Sequence, residues 1–243
     1  MIKYYVAVFC AIAFVLAWMY IGLGDKNPYT EIVEARRAPH AYDDVQTPIG
    51  DILITAYYFV PANKSADAQD TSWKEPMTRA LERLQQFHAL HFGDRSRIRF
   101  ALYPTPIIGR EDNMYYDSLV TQHGNPNALQ TITQEISQID PPTSETGIYP
   151  VTYIIYDGVG ASGMRLDSVH AALLNRNYLI NTEYAHYRDA LVAHEFYHTL
   201  GIPDGYDLST GTSTTADLMG LGRTQRPLQS NYLAQETLSH MGI

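Results

Sequence analysis

The chain has 243 residues, which is enough for one globular domain of ordinary size or slightly more. Hydrophobic residues make up 45% of it and charged residues 18%, a balance that is typical of a folded protein and excludes a disordered one. The formal net charge of -9 argues against nucleic acid as a partner, because binding phosphates requires a basic surface.

The N-terminal residues 1–24 predict a transmembrane signal anchor. Residues 4–24 contain no charged side chain, and a helix of that length spans about 31 Å, close to the thickness of a bilayer core. Trp18 and Tyr20 near its far end suit a membrane interface. No small-residue cleavage site follows the apolar run, which favours a retained anchor over a removed signal peptide. Secretion after cleavage is the alternative.

Residues 25–48 are polar and are interrupted by Pro28, Pro39 and Pro48. Such a composition predicts a linker, because prolines break regular structure and polar residues do not require burial. The folded domain is then expected over residues 49–243.

The first half of this domain alternates between strand and helix patterns. Runs rich in β-branched and aromatic residues predict strands, and apolar residues spaced three and four apart predict amphipathic helices. The predicted elements are strands at 49–61, 97–104 and 150–156 and helices at 74–91 and 128–139.

The second half contains the remaining elements. Residues 169–180 are interpreted in part as the edge strand of the sheet, along which a peptide could bind by adding a strand of its own. A helix is expected at about 184–200, capped by Asn181 or Thr182, and a closing helix at 229–240. The order of elements indicates an α+β or α/β fold, with a cleft between an upper lobe and a small irregular lower lobe.

A metal-binding motif lies in the helix expected at 184–200. His194 and His198 are four residues apart, so both imidazoles project from one helix face and can reach one metal ion at about 2.0–2.1 Å. Gly201 favours a sharp turn after the helix, and Asp204 then supplies an oxygen ligand. Two histidines and one carboxylate leave the fourth position of a zinc ion open, as a catalytic site requires. The sequence therefore predicts a zinc site.

Glu195 follows the first ligand and is expected beside the metal rather than on it. That is the position of a general base for an attacking water, so the motif predicts metal-assisted hydrolysis with Glu195 as the catalytic residue. Tyr197 and Tyr206 are candidates for stabilising the oxyanion, and packing in the helix base or the turn is the simpler interpretation of each.

The segment His194–Asp207, together with residues 217–220, resembles the metzincin zinc peptidases that have aspartate as third ligand, the snapalysin-like and immune-inhibitor-A-like groups. The resemblance implies a zinc endopeptidase acting on proteins or peptides, a twisted mixed sheet with an active-site helix, and a catalytic domain outside the cytoplasm. It also implies that Met219 is the methionine of the Met-turn, an apolar base beneath the metal. The sequence departs from the family at Tyr197, where glycine is usual, and has no site tyrosine directly after Met219. The close match covers about residues 190–221.

Two alternatives to this interpretation stay open. In the first, Glu236 on the C-terminal helix replaces Asp204 as third ligand, although the turn at Gly201 favours Asp204. In the second, the chain is a non-catalytic binding module that retains a structural zinc. The presence of Glu195 argues against that module, because this residue is not a ligand.

A second histidine pair lies on the helix expected at 74–91. His88 and His91 are three residues apart and could bind a metal from one helix face. No third ligand is evident near them in the sequence, so a pair without metal is favoured.

Overall fold

A computed structural model describes residues 38–118, 124–143, 145–166, 169–207 and 209–243. Among these residues, no helix is long and apolar enough to cross a membrane. The prediction of a single-pass membrane protein is corrected on this finding, and the predicted anchor at residues 4–24 lies outside the described residues. The longest described helix has 19 residues, but it is amphipathic and carries charged side chains on its outer face.

The strands are short at the N-terminus and longest in the middle of the chain. In chain order they are β1 His40–Ala41, β2 Asp44–Pro48, β3 Asp51–Val60, β4 Arg97–Leu102, β5 Ile107–Ile108, β6 Ile148–Tyr156, β7 Ala161–Leu166 and β8 Val169–Asn175.

The helices alternate with these strands and continue after them. In chain order they are α1 Lys74–Phe92, α2 Asn113–Asp117, α3 Pro126–Ile139, α4 Arg176–Ile180, α5 Arg188–His198, α6 Gly222–Gln225 and α7 Gln235–His240. Short 3-10 helices are formed by Ala62–Gln69, Gly93–Arg95, Thr182–Tyr184 and Leu228–Ser230.

The main sheet is mixed. Strands β4, β3, β6 and β8 lie side by side in this order and are parallel, and β7 is the antiparallel edge strand beside β8. In this register Gly163 of β7 lies opposite Ala172 of β8. At the other side, β5 pairs with the end of β3. A mixed α/β architecture, as the order of elements indicates, is therefore present.

The two faces of the sheet bury different cores. Ile54 and Tyr58 of β3 belong to the core that α1 and α5 cover, whereas Tyr57 and Phe59 belong to the core that α3 covers. We call these the α5 face and the α3 face of the sheet. This division follows from the alternation of side chains along a strand.

In helix α1 the apolar residues spaced three and four apart are buried, with one exception at Leu90. Met77, Leu81 and Leu84 are fully buried, but Leu90 is 82% exposed and His88 is buried instead. His88 lies seven residues after Leu81, which places it on the same helix face. Position on the helix therefore determined burial here more than the polarity of the side chain.

Residues 38–48 differ from the predicted linker because they belong to the folded unit, which spans Ala38–Ile243. Here β1 and β2 pair as a short antiparallel hairpin. The backbone N–H of Tyr42 donates to the carbonyl of Leu200 at 2.9 Å, which ties the hairpin to the end of the α5 segment. Polar composition indicated a solvated linker, but these backbone hydrogen bonds are specified by tertiary contacts that composition does not reveal.

The edge strand is β7, and not the segment at 169–180 that the sequence indicates. Strand β8 lies between β6 and β7, and residues 176–180 form α4. The side chains of residues 171–174 are buried on both faces, as in an interior strand. Residues 161–163, at the start of β7, are small and have weak strand preference, so the sequence pattern does not indicate a strand there.

Two helices are shorter than predicted. The helix expected at 184–200 is α5, and Asn181 caps the 3-10 turn before it, because its side chain accepts from the backbone N–H of Glu183. The C-terminal helix expected at 229–240 begins only at Gln235, after a separate 3-10 turn.

Candidate metal centre

Helix α5 and the turn after it bring the three predicted ligands together. The Nε2 atoms of His194 and His198 are 3.1 Å apart, as their spacing of four on the helix predicts. Gly201 has a φ of +86°, which turns the chain so that Asp204 returns towards the helix. Its Oδ1 atom lies 3.2 Å from each Nε2. Within the part of the chain that the structure describes, no other group of three such side chains converges in this way.

Backbone carbonyls fix the tautomer of both imidazoles. The Nδ1 atom of His194 is 3.2 Å from the carbonyl oxygen of Leu218, and that of His198 is 2.8 Å from the carbonyl oxygen of Ile202. A carbonyl oxygen only accepts, so each Nδ1 carries the hydrogen. In the neutral rings both Nε2 atoms are then acceptors, and their lone pairs point at each other and at Asp204.

This arrangement fits a zinc ion. It joins three acceptor atoms, and Asp204 Oδ1 is buried without a hydrogen-bond partner. A tetrahedral zinc with ligands at about 2.0–2.1 Å holds neighbouring ligand atoms about 3.3 Å apart. The separations of 3.1 Å and 3.2 Å are close to that value. A cation would therefore satisfy three groups that the protein itself leaves facing one another.

The ionisation of the ligands is consistent with metal binding. Burial lowers the pKa of His194 to about 4, which keeps its Nε2 free of a proton. Burial opposes ionisation of Asp204, but the two imidazoles outweigh it and hold the pKa of this carboxyl well below its usual range. Burial also lowers the pKa of His198, yet the pKa is raised overall because Asp204 and Glu195 face the ring. A proton and a metal ion would therefore compete for this place.

Glu195 lies in the wall of the cleft and outside the group of three ligand residues. Burial raises its pKa to about 7. A cation held by the ligands would lower that pKa, because a positive charge stabilises the carboxylate.

A cleft of about 480 Å³ opens over the three ligands. One wall is the edge strand β7, and another is α5 with the turn after it. A Cβ atom on Gly163 would lie 2.2 Å from the backbone oxygen of Glu195, so only glycine allows β7 to approach α5 this closely. The residues that line the cleft are Gly124, Pro126, Ala161, Ser162, Gly163, Met164, His194, Glu195, His198, Pro203, Asp204 and Tyr206.

The two tyrosines that the sequence offers near the motif have different surroundings. Tyr197 is fully buried on the far side of α5, and its hydroxyl bonds to His88 Nδ1 at 3.2 Å. Tyr206 lies in the cleft wall with its ring centroid 6.4 Å from that of His194. The guanidinium of Arg223 stands 3.8 Å over the Tyr206 ring. Only Tyr206 of the two can therefore reach a bound substrate.

The segment that contains Met219 packs against the turn that carries Asp204. Met219 is buried, and its carbonyl oxygen accepts from the N–H of Gly205 at 2.8 Å, next to Asp204. Asp217 is also buried and accepts from the hydroxyl of Thr215 at 2.6 Å. These contacts hold the turn that carries Leu218, whose carbonyl faces His194.

Glu236, the alternative third ligand, is exposed on α7 and does not belong to the group around α5. The alternative site at His88 and His91 has its four ring nitrogens within hydrogen-bond distance of groups of the protein.

The sequence did not point to Gly163 or Arg223. Gly163 had a weak signal in its glycine-rich neighbourhood, and Arg223 had none, because its contact with Tyr206 joins separate turns of the chain.

Comparisons of the sequence with protein-family models and with curated proteins find no match. Among solved structures, OgpA from Akkermansia muciniphila has a TM-score of 0.47 and 15% identity, over 79% of this chain and 59% of OgpA. Catalytically inactive OgpA in complex with an O-glycopeptide gives the same values. Metalloproteinase-II from Bacteroides fragilis has a TM-score of 0.39 and 12% identity, over 80% of this chain and 56% of the other. The chain thus spans less than two thirds of the length of these proteins.

Proposed function

We propose that this chain is a zinc-dependent endopeptidase in which His194, His198 and Asp204 hold the metal and Glu195 is the general base. The observation that carries the proposal is the triangle of two imidazole nitrogens and one carboxylate oxygen, with sides of 3.1 Å, 3.2 Å and 3.2 Å. No hydrogen can satisfy all three atoms, and a zinc ion can. Met219 remains the proposed methionine of the Met-turn.

Zinc bound at such a site supplies Lewis acidity, which polarises a carbonyl and lowers the pKa of water. The residues of the chain supply the rest. Glu195 accepts a proton from the water whose oxygen attacks the carbonyl carbon, and it delivers that proton to the amine nitrogen when the C–N bond breaks. The products are a carboxylic acid and an amine, so atoms and charges balance.

The position of β7 at the edge of the sheet, among the strands that the structure describes, supports a peptide as the substrate. An edge strand presents backbone N–H and C=O groups that can pair with an extended chain. Gly163 lies on this edge directly above Glu195 and His198, so a peptide paired there would pass the ligands. Tyr206, in the opposite wall, is a candidate donor to the oxyanion, and zinc would share that role.

The test is the substitution Glu195→Gln with zinc content and peptide cleavage measured on the same preparation. The amide keeps the size of the side chain but does not accept the proton, so turnover should fall by about 10²–10⁴-fold while one zinc per chain is retained. Wild-type protein that binds zinc but is as inert as Glu195→Gln against a broad peptide library would contradict the proposal. A zinc-containing binding module would then be the better interpretation of the cleft.

A further inference from the structure

Arg223 places a positive charge beside the metal cleft. The central carbon of its guanidinium is 3.8 Å from the ring centroid of Tyr206, which lines the cleft, and that centroid is 6.4 Å from the centroid of the His194 ring. The guanidinium is therefore at most about 10 Å from this imidazole, a distance that about three residues of an extended peptide span. A peptide bound at the metal centre would pass within reach of the Arg223 side chain.

The short helix α6 holds Arg223 in a fixed place. The N–H of Gly222 donates to the carbonyl of Asp217 at 2.8 Å, and the side-chain amide of Asn231 donates to the carbonyl of Gly222 at 3.0 Å. A Cβ atom on Gly222 would lie 1.9 Å from Oδ1 of Asn231, so the start of α6 packs directly against its neighbours. The backbone that carries Arg223 is therefore tied to the turn that also contains Leu218.

The guanidinium has hydrogen-bond donors that the protein leaves available. Within the described part of the chain, its direct contacts are the Tyr206 ring and the carbonyl oxygen of Gly220, 3.3 Å from Nη1, and neither of these groups is a carboxylate. The ring lies against the flat face of the guanidinium, whereas the five N–H groups lie in its plane and point outwards. Arg223 is partly exposed, so a ligand can reach the N–H groups that the carbonyl does not use.

The charge of Arg223 acts on groups inside the cleft. Burial is the largest influence on the pKa values of Glu195 and Tyr206 and raises both, and the positive charge of Arg223 opposes that rise in both. Among the described residues that line the cleft itself, none is a lysine or an arginine. A carboxylate of a bound peptide would therefore find a positively charged side chain in Arg223 and not in the lining of the cleft.

We infer that Arg223 is a specificity determinant that binds a carboxylate of the substrate within about three residues of the cleaved bond. This inference rests on the proposed peptidase function and adds the chemical class of substrate that the site selects. The carboxylate is either the side chain of an aspartate or glutamate or the C-terminal group of the peptide, because a guanidinium forms the same paired hydrogen bonds with both.

The test compares full-length wild type with Arg223→Met, which removes the charge, and Arg223→Lys, which keeps it. Arg226→Met is the matched control, since Arg226 is exposed on the same segment. The substrates are pairs of peptides with glutamate or glutamine at one position near the cleaved bond, and pairs with a free or an amidated C-terminus at the same distance. The ratio of kcat/KM within each pair is measured, together with zinc content. Lost support of Tyr206 slows both members of a pair equally and cancels in this ratio.

Wild type should cleave the carboxylate member of at least one pair about tenfold faster than its uncharged partner, as expected for one charge-assisted contact. Arg223→Met should abolish this preference, Arg223→Lys should retain part of it, and Arg226→Met should retain all of it. A preference within the glutamate pairs identifies a side-chain carboxylate, and one within the C-terminal pairs identifies the terminal group.

Ratios that are equal in wild type and Arg223→Met for every pair would overturn carboxylate binding by Arg223 and leave the peptidase function intact. Absence of any cleavage by zinc-loaded wild type would overturn the peptidase function, and carboxylate selection with it.

Discussion

Helices α1 and α5 each carry a pair of histidines, and the pairs differ in how their ring nitrogens are satisfied. On α1, His88 Nε2 is 2.8 Å from the hydroxyl of Ser96, and His91 Nε2 accepts from the N–H of Leu233 at 3.2 Å. On α5, both Nδ1 atoms are held by carbonyls, and both Nε2 atoms face only acceptors.

The surroundings of the two pairs separate a histidine that the protein itself satisfies from one that is available to bind a metal. Both His88 and His194 are buried, and burial lowers the pKa of His88 to about 3 and that of His194 to about 4. Burial and a low pKa therefore do not separate the two. What separates them is the carboxylate at 3.2 Å from an Nε2 that has no hydrogen to give.

The largest expected effect is on metal content. His198→Ala removes one of the three proposed ligands, so zinc measured by elemental analysis should fall from about one per chain to near zero, and peptide cleavage should be lost with it. The variant His88→Gln on α1 is the matched control, and it should retain about one zinc per chain. Equal zinc loss in both variants would mean that the pairs are not functionally distinct.

The next prediction compares the carboxylates of Asp204 and Glu236 as candidates for the third ligand. Asp204→Ala should weaken zinc binding by more than the roughly 10–100-fold that loss of an outer-shell partner causes, because it removes a ligand. Glu236→Ala should leave the affinity near that of wild type, since Glu236 is exposed away from the cluster. The affinities can be measured by competition with a chelator. The reverse order would assign Glu236 as the third ligand.

On α1, His88 should make the stability of the protein depend on pH. His88 is neutral when folded, with a pKa of about 3, and takes up a proton on unfolding below its ordinary pKa of 6.5. The unfolded state then binds more protons, so the free energy of unfolding should fall as the pH drops below 6.5, by up to about 1.4 kcal/mol per pH unit. His88→Gln should be less stable than wild type at pH 7 by about 1–3 kcal/mol, because it disturbs buried hydrogen bonds.

The difference in the free energy of unfolding between wild type and His88→Gln should become smaller as the pH falls. Wild type loses stability through protonation of the unfolded state, whereas glutamine does not titrate. Urea unfolding in chelator at pH 7, 6 and 5 gives the free energies for both proteins, and the chelator removes the contribution of bound metal. A difference that stays constant over this range would show that His88 is not the group responsible.

The smallest effect is expected at Arg223, which belongs to the surroundings of the α5 pair. Its guanidinium holds the Tyr206 ring from one side, and such a contact contributes about 0.5–2 kcal/mol. Arg223→Met should therefore lower kcat about three- to tenfold without changing zinc content. A loss of zinc would instead show that Arg223 supports the ligands themselves.

The part of the site that depends on helical periodicity was predictable from the sequence. A spacing of four fixed the relation of His194 to His198, and the turn at Gly201 brought Asp204 to them. The acceptor-only character of the cluster was not predictable, because it depends on the carbonyls of Leu218 and Ile202, which tertiary structure places against the rings.

The fold was predictable where burial determines the pattern. The strand at 51–60 and the helix at 74–92 lie within two residues of their predicted bounds. The edge strand was missed for two reasons. Whether a strand is internal depends on the strands beside it, which the sequence does not show. The small side chains of residues 161–163 also lack the apolar alternation that indicates a strand. The hairpin within 38–48 was missed because it is stabilised by backbone bonds to distant segments.

The close approach of β7 to α5 at Gly163 provides a way to adjust the site without changing any of its polar groups. A Cβ at this position would also lie 2.8 Å from the Cβ of His198, and the backbone atoms it meets have no rotamer by which to move aside. An added methyl would therefore have to displace the whole strand from the helix. The absence of one carbon atom thus sets the distance between strand β7 and helix α5, and glycine, alanine and valine at position 163 would form a graded series of such distances.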